Sequence, residues 1–337
     1  IAALTRAFVA GAASGQDEVA AEAASMLVFV VGYVQARHEA ALPWARAAEA
    51  FVRRLGKQDD MPGAQYLNSL ASLHKSQGEL ELAVGLYERS LAIREAQLGP
   101  EHPTIAASLN NIANTRSALG QGEEAVALLE RACSLSERAL GSEHPFSVTL
   151  LSNLASAQSS RGALDAAQAA GERALQASER SFEPEHAQIG AVLTNLGQIL
   201  EARGDQAGAR RMFERALAIN ARNFGRESQH VADALGNLAL VHQQQGALAE
   251  ALAFETEALA IRTRIFGEDH LEAAWSLTGL AAIHRLGGDL TTARGLARRA
   301  VAIRERGDGG QELAMAQIGL AALELAGGDV AAAREPA

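Results

Sequence analysis

The sequence predicts an all-α protein, an α-solenoid of stacked antiparallel helix pairs, from three observations. Glycines recur in steps of 42 residues and then one of 40: Gly78, Gly120, Gly162, Gly204, Gly246, Gly288 and Gly328. Self-similarity over a few tens of residues is the signature of a solenoid. The 337 residues are too many for one ordinary helical core. The composition is 48% apolar, poor in proline and rich in good helix formers.

Residues 1–60 are predicted to form an N-terminal helix and a degenerate first repeat. Residues 1–15 read as one helix that packs on the front of the stack. The degenerate repeat keeps the register, because three small residues lie 42 positions before their counterparts: Ala41, Ala45 and Ala48, before Ala83, Tyr87 and Ser90. The longest apolar run, Met26–Val34, is far too short to span a bilayer. No signal peptide is visible and the chain starts with Ile1, so we expect a piece of a longer, cytoplasmic protein.

Residues 61–312 are predicted to hold six repeats of 42 residues, and residues 313–337 part of another. In one repeat, Pro103 starts the first helix, where its missing N–H costs nothing. An apolar stripe follows at helical spacing: Ile105, Leu109 and Ile112. Gly120 ends this helix, because a left-handed C-cap position favours glycine, and a second helix follows. Each helix pair cannot bury its apolar face alone, so we expect successive pairs to stack.

A family resemblance is carried by seven positions of the repeat. Three copies read Leu67, Leu70, Ala71, Gly78, Ala83, Tyr87 and Ser90; then Leu109, Ile112, Ala113, Gly120, Ala125, Leu129 and Ala132; then Leu193, Leu196, Gly197, Gly204, Ala209, Phe213 and Ala216. This pattern resembles the tetratricopeptide repeat. The 42-residue period and the "LGxEHP" connector are similar to the kinesin-light-chain type. Gly171 and Glu255 depart from the pattern where a bulky inward residue is expected, so we expect less dense packing there.

The resemblance implies a right-handed superhelix whose concave surface is lined by the first helix of each pair. It also implies a role in binding other proteins. The stretch "MLVFVVGYVQARHEAALPWARAAEAFVRRLG" resembles the start of the repeat region that follows the catalytic domain in some bacterial serine/threonine protein kinases. That resemblance implies a kinase domain upstream of Ile1.

A column of asparagines stands on one face of the first helices. Its members recur every 42 residues, each before an inward Leu or Ile: Asn111, Asn153, Asn195 and Asn237. A carboxamide both donates and accepts hydrogen bonds, so such a column can bind the backbone of an extended peptide whatever its side chains. Some tetratricopeptide proteins bind peptides in this way. The alternative is that these residues belong to the repeat consensus and join the helices. Ser69 and Gly279 break the column at its two ends.

The same spacing predicts three further groove residues. Asn114 and Gln198 lie three positions after asparagines of the column, and Trp275 lies four positions before Gly279. The predicted groove lacks the Lys and Arg pairs that would bind a C-terminal carboxylate, which favours an internal peptide segment. Trp275 is predicted either to anchor the peptide or to pack under the last repeats.

Glutamate–arginine pairs recur on the second helices, for example at Glu130 and Arg131. A related arginine set continues at steps of 42 residues: Arg138, Arg180, Arg222, Arg264 and Arg306. Opposite charges in register on stacked helices predict ion pairs between repeats, each contributing about 0–1 kcal/mol when exposed. The alternative is a surface that binds an anionic partner.

Four histidines share one connector position: His102, His144, His186 and His270. They lie a full repeat apart, so we expect them to cap helices or join repeats rather than to bind one metal. The sequence contains no HExxH, CxxC, P-loop, GxSxG or GxGxxG motif. We therefore expect no enzyme activity, no cofactor and no metal. Cys133 is the single cysteine, so it has no disulfide partner in the chain, and we expect it to be a small core residue.

The net charge of −10 disfavours nonspecific nucleic-acid binding, and no membrane partner is expected. These observations together predict a protein-interaction scaffold that binds an extended peptide in its concave groove. One alternative is a regulatory or substrate-recruiting arm of an upstream bacterial protein kinase domain. A second alternative is a scaffold that self-associates through its terminal repeats.

Overall fold

A computed structural model describes residues 1–307 and 310–326, and helices are the only regular secondary structure in these two ranges. Sixteen α-helices lie there: α1 (Ala2–Ser14), α2 (Asp17–Leu27), α3 (His38–Arg54), α4 (Met61–Ser76), α5 (Leu80–Leu98), α6 (Pro103–Ala118), α7 (Gly122–Leu140), α8 (Pro145–Ser160), α9 (Leu164–Ser181), α10 (Ala187–Ala202), α11 (Gln206–Phe224), α12 (Gln229–Gln244), α13 (Leu248–Phe266), α14 (Leu271–Leu286), α15 (Leu290–Arg306) and α16 (Gly310–Ala326). A π-helical segment, Val28–Val34, joins α2 to the loop before α3. The predicted all-α class is confirmed.

The helices belong to two compact units, Ile1–Ala177 and Ser178–Ala337, whose boundary falls within α9. In the first unit, α1 to α3 and the π-helical segment precede the helix pairs α4/α5 and α6/α7 and the helix α8. In the second unit, the pairs are α10/α11, α12/α13 and α14/α15, and α16 follows. Within each unit, helices pack mainly on their neighbours in the chain, as in a stack of tetratricopeptide-type pairs.

The N-terminal helices pack through small residues of α3, and the degenerate repeat expected there stays a prediction. Three alanines of α3 are buried: Ala41, Ala45 and Ala48. The first predicted helix is α1, and its Phe8 packs edge-on against Trp44 at 5.4 Å between ring centroids. In the π-helical segment, a Cβ atom at Gly32 would lie 2.6 Å from Leu73 Cδ1, so a larger residue would require the buried Leu73 side chain to shift. In the described part of the chain, no helix combines the length and the apolar character that crossing a bilayer requires.

The periodic glycines end the first helices as predicted. Gly78 has a φ of 82°, its N–H donates to Lys75 O at 3.1 Å, and the N–H of Glu79 donates to His74 O at 3.0 Å. These two bonds are those of a Schellman motif, which satisfies carbonyls left open at a helix end. The five equivalent glycines up to Gly288 have φ between 75° and 84°. Gly328 lies outside the described residues.

A pair of glycine substitutions in the first unit tests this assignment. Gly120→Ala is expected to cost about 1–2 kcal/mol, because φ there is 76° and a Cβ is strained in the left-handed region. Gly85→Ala is the matched control, because Gly85 is exposed inside α5 and a Cβ there meets open space. It is expected to stabilise by about 0.5–1 kcal/mol. Urea unfolding followed by circular dichroism measures both, and equal effects of the two changes would contradict the C-cap assignment.

The predicted ion pairs between repeats are present within both units. One set joins second helices: Arg131–Glu95 at 2.6 Å, Arg173–Glu137 at 2.8 Å and Arg215–Glu179 at 2.5 Å. Another set joins second helices to the preceding connectors: Arg138–Glu101, Arg222–Glu185, Arg264–Glu227 and Arg306–Asp269. These charges are partly or largely exposed, so each pair contributes about 0–1 kcal/mol.

The four connector histidines are helix N-caps, which is one of the two roles that their spacing predicts. Each Nδ1 accepts the backbone N–H two residues later, at 3.3 Å for His102, 3.1 Å for His144, 3.1 Å for His186 and 3.2 Å for His270. An N-cap acceptor satisfies one of the N–H groups that a helix start leaves without a partner. These histidines therefore fix where first helices begin.

One position of the second helices carries the largest inward side chains, and we call it the core position. Tyr87, Leu129 and Phe213 occupy it and are buried. A small residue stands 16 positions earlier on the first helix: Ala71, Ala113 and Gly197 respectively. In the remaining repeats the core position holds Gly171, Glu255 and Ala297. At these three positions, no large apolar or aromatic side chain fills the space between the two helices of the pair.

Candidate functional site

The first helices of the first unit are joined by asparagine pairs. Asn111 Nδ2 on α6 donates to Asn68 Oδ1 on α4 at 3.2 Å, and Asn153 Nδ2 on α8 donates to Asn110 Oδ1 on α6 at 2.8 Å. Each pair links a column residue to the residue 43 positions earlier. The sequence contains a signal for these partners, because Asn68 and Asn110 are themselves 42 residues apart and form a second column.

These bonds leave part of each carboxamide available. An Asn side chain has two N–H donors and two acceptor lone pairs, and the bond between helices uses one donor. Asn111 and Asn153 are half-buried, and so is Asn114 on α6. In the first unit the column therefore joins helices, and its remaining donors and acceptors can still meet a ligand.

The column residues of the second unit are Asn195 on α10 and Asn237 on α12, both half-buried. Among the described residues, none hydrogen-bonds to the Asn237 carboxamide. The residue 43 positions earlier is Thr194, whose hydroxyl donates instead to Gly190 O within its own helix at 3.0 Å. Gln198, on the same helix as Asn195, is exposed. Asn237 is thus a polar side chain whose hydrogen-bonding capacity the fold leaves open.

Trp275 lies on α14 with 49% of its surface exposed, so the predicted groove position is accessible. Its ring covers the guanidinium of Arg304, whose Cζ lies 5.3 Å from the ring centroid. Arg304 is buried and donates to Thr278 Oγ1 at 3.0 Å and to Ala274 O at 3.3 Å. Burial lowers the pKa of Arg304, and the charge of Glu312 acts in the opposite direction. One face of the Trp275 ring therefore packs on the guanidinium of Arg304, and this cation–π contact holds the indole in place.

A buried charged cluster, which sequence reasoning missed, lies beneath α12 and α14. Its centre is Arg262 on α13, which donates to Ser276 Oγ at 2.6 Å and to Asp233 Oδ1 at 3.0 Å. Glu255 Oε1 lies 3.7 Å from Arg262 Nη1, and Glu272 Oε2 lies 3.6 Å from Arg262 Nε. Glu255 is only 6% exposed. Burial raises the pKa of its carboxyl, and the hydrogen bond with Ser276 and the charge of Arg262 oppose this shift.

Glu255 also explains why the asparagine column ends at Gly279. A Cβ atom there would lie 3.0 Å from Glu255 Cδ and 3.2 Å from its Cγ, so a larger residue would require the buried carboxyl to move by a few tenths of an ångström. The sequence showed Glu255 as a departure from the repeat pattern. It did not show that Arg262, seven residues later, would turn inward to meet it.

The described residues hold no group of three or more His, Cys, Asp or Glu side chains arranged to bind a metal ion. Cys133 is buried as predicted, and burial raises the pKa of its thiol to about 12. A thiol with such a pKa stays protonated near neutral pH and is a poor nucleophile.

The helix pairs and the exposed surfaces of their first helices define the chain as a tandem repeat protein built from helix pairs. The family model described as tetratricopeptide repeat matches residues 63–138, 104–180, 146–222 and 230–306, which together exceed half of the chain. The chain belongs to the tetratricopeptide repeat family. Repeats of this family generally mediate protein–protein interaction, and its scaffolds are typically non-catalytic. The matched residues begin at 63, so the resemblance of the N-terminal stretch to a kinase-associated repeat region stays a prediction.

Solved structures of kinesin-light-chain-type proteins are similar to this chain. BtubC (BKLC) from P. vanneervenii is 26% identical over 63% of this chain and 86% of its own, with a TM-score of 0.54. A P. anserina kinesin-light-chain-type protein with nearly identical TPR-like repeats is 28% identical over 59% of this chain and 94% of its own, with a TM-score of 0.53. The repeats are kinesin-light-chain-like, as predicted.

A third solved structure extends the likeness of the fold. The apo form of RapI covers 93% of this chain and 82% of its own, with a TM-score of 0.70 and 13% identity. At that identity the likeness concerns the fold alone. The chain matches no curated protein.

Proposed function

We propose that this chain is a protein-interaction module that binds an extended peptide segment along the exposed faces of its first helices. The observation that carries the proposal is the carboxamide of Asn237, which is half-buried on α12 and has no hydrogen-bond partner among the described residues. A peptide backbone offers both a donor and an acceptor to such a group. Trp275 on α14, in the same unit, supplies an exposed aromatic surface that is already held in place.

The dimensions of helices and of extended chains support this mode of binding. Packed helices lie about 8–10 Å apart, and an extended peptide advances about 3.3 Å per residue. One first helix can therefore meet the peptide at roughly every third residue. Contacts to the peptide backbone would bind peptides of many sequences, and contacts between their side chains and Trp275 would select among these peptides.

The charges near this face favour an internal segment over a chain end. Asp233 lies four positions before Asn237 on the same helix, but its carboxylate is paired with Arg262 at 3.0 Å. Arg304, whose guanidinium lies against the Trp275 ring, is only 2% exposed. The charges of Asp233 and Arg304 are thus engaged within the fold, and the carboxamide of Asn237 offers a neutral polar contact instead.

Asn237→Ala tests the proposal with two unrelated peptides selected from an array by binding to the wild-type chain. We expect both peptides to bind more weakly by about 0.5–1.5 kcal/mol, because one neutral hydrogen bond to backbone is lost in each case. Trp275→Ala is expected to weaken one peptide more than the other, because side chains differ. Isothermal titration calorimetry measures both.

Thr256→Ala is the matched control, because Thr256 is an exposed polar residue on the second helix α13. It should bind both peptides as the wild type does. If Asn237→Ala and Trp275→Ala also bind both peptides with wild-type affinity, peptide binding along these first helices is wrong.

A further inference from the structure

An apolar pocket of about 190 Å³ lies among α14, α15 and α16 in the second unit. Small residues from all three helices form much of its wall: Ala281, Ala297, Ala300, Ala316 and Gly319. Thr278 and Arg285 are the two polar residues that line it. Met315 also lines the pocket and is 64% exposed, so the pocket reaches the surface beside this side chain.

The pocket has a cause in the sequence. Ala297 occupies the core position at which other repeats carry Tyr87, Leu129 or Phe213. Those larger side chains are buried and fill the space between their helices. At Ala297 the residue 16 positions earlier is Ala281, so neither helix supplies a large side chain. The space therefore stays open.

On its α16 side, the surface around the pocket is also apolar. On α16, Met315, Ile318 and Leu325 recur at helical spacing and are exposed. With the final step of 40 residues between Gly288 and Gly328, Met315 is the counterpart of Trp275. An apolar strip thus continues from Trp275 on α14 to the outer face of α16.

We propose that this pocket binds one apolar side chain of leucine or phenylalanine size from a peptide that lies on the first helices. The inference rests on the proposed function and adds a side-chain preference to it. An apolar cavity of about 150 Å³ is known to hold benzene, and this pocket is larger, at about 190 Å³. A space of this size admits a single protruding side chain and is too small for a helix of a second copy.

The first experiment uses a minimal probe, N-acetyl-leucine methylamide, with N-acetyl-alanine methylamide as its control. Methionine and alanine methyl groups labelled with ¹³C report binding by NMR. We expect the Met315 methyl signal to shift saturably with the leucine probe and to stay in place with the alanine probe. Equal shifts with both probes, or no saturable shift with either, would overturn the inference, since the pocket would then be nonselective, absent or filled from within the chain.

Ala297→Leu is the variant that closes the pocket. Leu129 stands at the same position opposite Ala113, so the fold already accommodates a leucine–alanine pair there. We expect the affinity for the leucine probe to fall at least roughly tenfold, because a buried leucine side chain contributes that much or more. Ala260→Leu, on the exposed side of α13, is the matched control and should bind the probe as the wild type does.

A second variant keeps the test decisive if Ala297→Leu does not fold. Ala282 lines the pocket from α14, and its counterpart one repeat earlier is Leu240. Ala282→Leu therefore places leucine where α12 already carries it, and we again expect loss of probe binding. Wild-type affinity in a folded Ala282→Leu or Ala297→Leu variant would overturn the inference.

Two further measurements separate this inference from the proposed function. If Asn237→Ala weakens array-selected peptides while Ala297→Leu leaves all of them unaffected, the pocket inference is wrong and the proposed function stands. If the leucine probe binds but no peptide does, the proposed function fails and the pocket remains a site for an apolar side chain. If light scattering finds a wild-type dimer that Ala297→Leu dissociates, a second copy occupies the pocket and the inference is wrong.

Discussion

Replacing Arg262 by methionine is expected to lower the free energy of unfolding of the second unit by about 3–5 kcal/mol. The guanidinium is the only described cation within salt-bridge distance of Glu255, Asp233 and Glu272. Breaking a buried ion pair by removing one partner leaves a charge without compensation, and this is the costly case. Methionine keeps much of the volume, so the loss reports the charge rather than a cavity.

Tryptophan fluorescence in a Trp44→Phe background follows this unfolding, because Trp275 then reports on the second unit alone. The double variant Glu255→Leu with Arg262→Met is the control. It removes the charges of Glu255 and Arg262. It also places leucine at the core position, which Leu129 already occupies in another repeat. We expect it to be clearly more stable than Arg262→Met alone, since replacing a whole buried pair by apolar residues is often neutral or better. A single variant as stable as the wild type would show that the cluster is solvated and contributes little.

The same cluster predicts how the Arg262→Met deficit depends on pH. Burial raises the pKa of Glu255 above its ordinary value of 4.5, and Arg262 counteracts this shift. Without Arg262 the folded-state pKa rises further. A carboxyl whose pKa is raised on folding loses stability as the pH climbs from its unfolded pKa through its folded pKa. We therefore expect the deficit to grow from acidic to neutral pH, and Glu255→Gln in the same background to reduce this growth, while Asp233 and Glu272 remain without Arg262.

Features that depend on local chemistry were predictable from the sequence. Gly78 and its equivalents adopt the left-handed conformation at the end of first helices, because backbone sterics at that position depend on the residue itself. His102 and its equivalents cap the next helix through a contact spanning two residues. The ion pairs between repeats followed from the period, because identical spacing brings identical positions together in each stack.

Features that arise where a residue or a spacing departs from the 42-residue pattern were not predictable in the same way. The partner of Asn111 is Asn68, at an offset of 43 rather than 42 residues, so a search for one column overlooks it. Glu255 appeared as a packing defect, whereas the structure fills that place with a charged cluster around Arg262. The pocket at Ala297 required knowing which side chains face each other across three helices.

Phe213→Ala is the other substitution with a large expected effect, a loss of about 3–5 kcal/mol in the stability of the second unit. Phe213 is 1% exposed, and Gly197 on the facing helix has no side chain that could move into the space left behind. The matched control is Phe224→Ala, because Phe224 is exposed and stacks on His230 at 4.0 Å between ring centroids. We expect that change to cost below about 1 kcal/mol in urea unfolding. Similar losses for the two variants would contradict the role of the core position.

The fit between Phe213 and Gly197 can be tested by exchanging both residues for the pair found at Leu129 and Ala113. Gly197→Ala alone should destabilise, because its Cβ would lie 2.5 Å from Phe213 Cε1. Phe213→Leu alone should destabilise by leaving space beside Gly197. Together the two changes recreate a combination that the chain already uses, and alanine also favours a helix interior over glycine by about 0.5–1 kcal/mol. We expect the double variant to be more stable than the sum of the single effects by about 0.5–3 kcal/mol. Additive losses would mean that the core position and its facing residue are not a coupled pair, and that α10 and α11 pack together through other contacts.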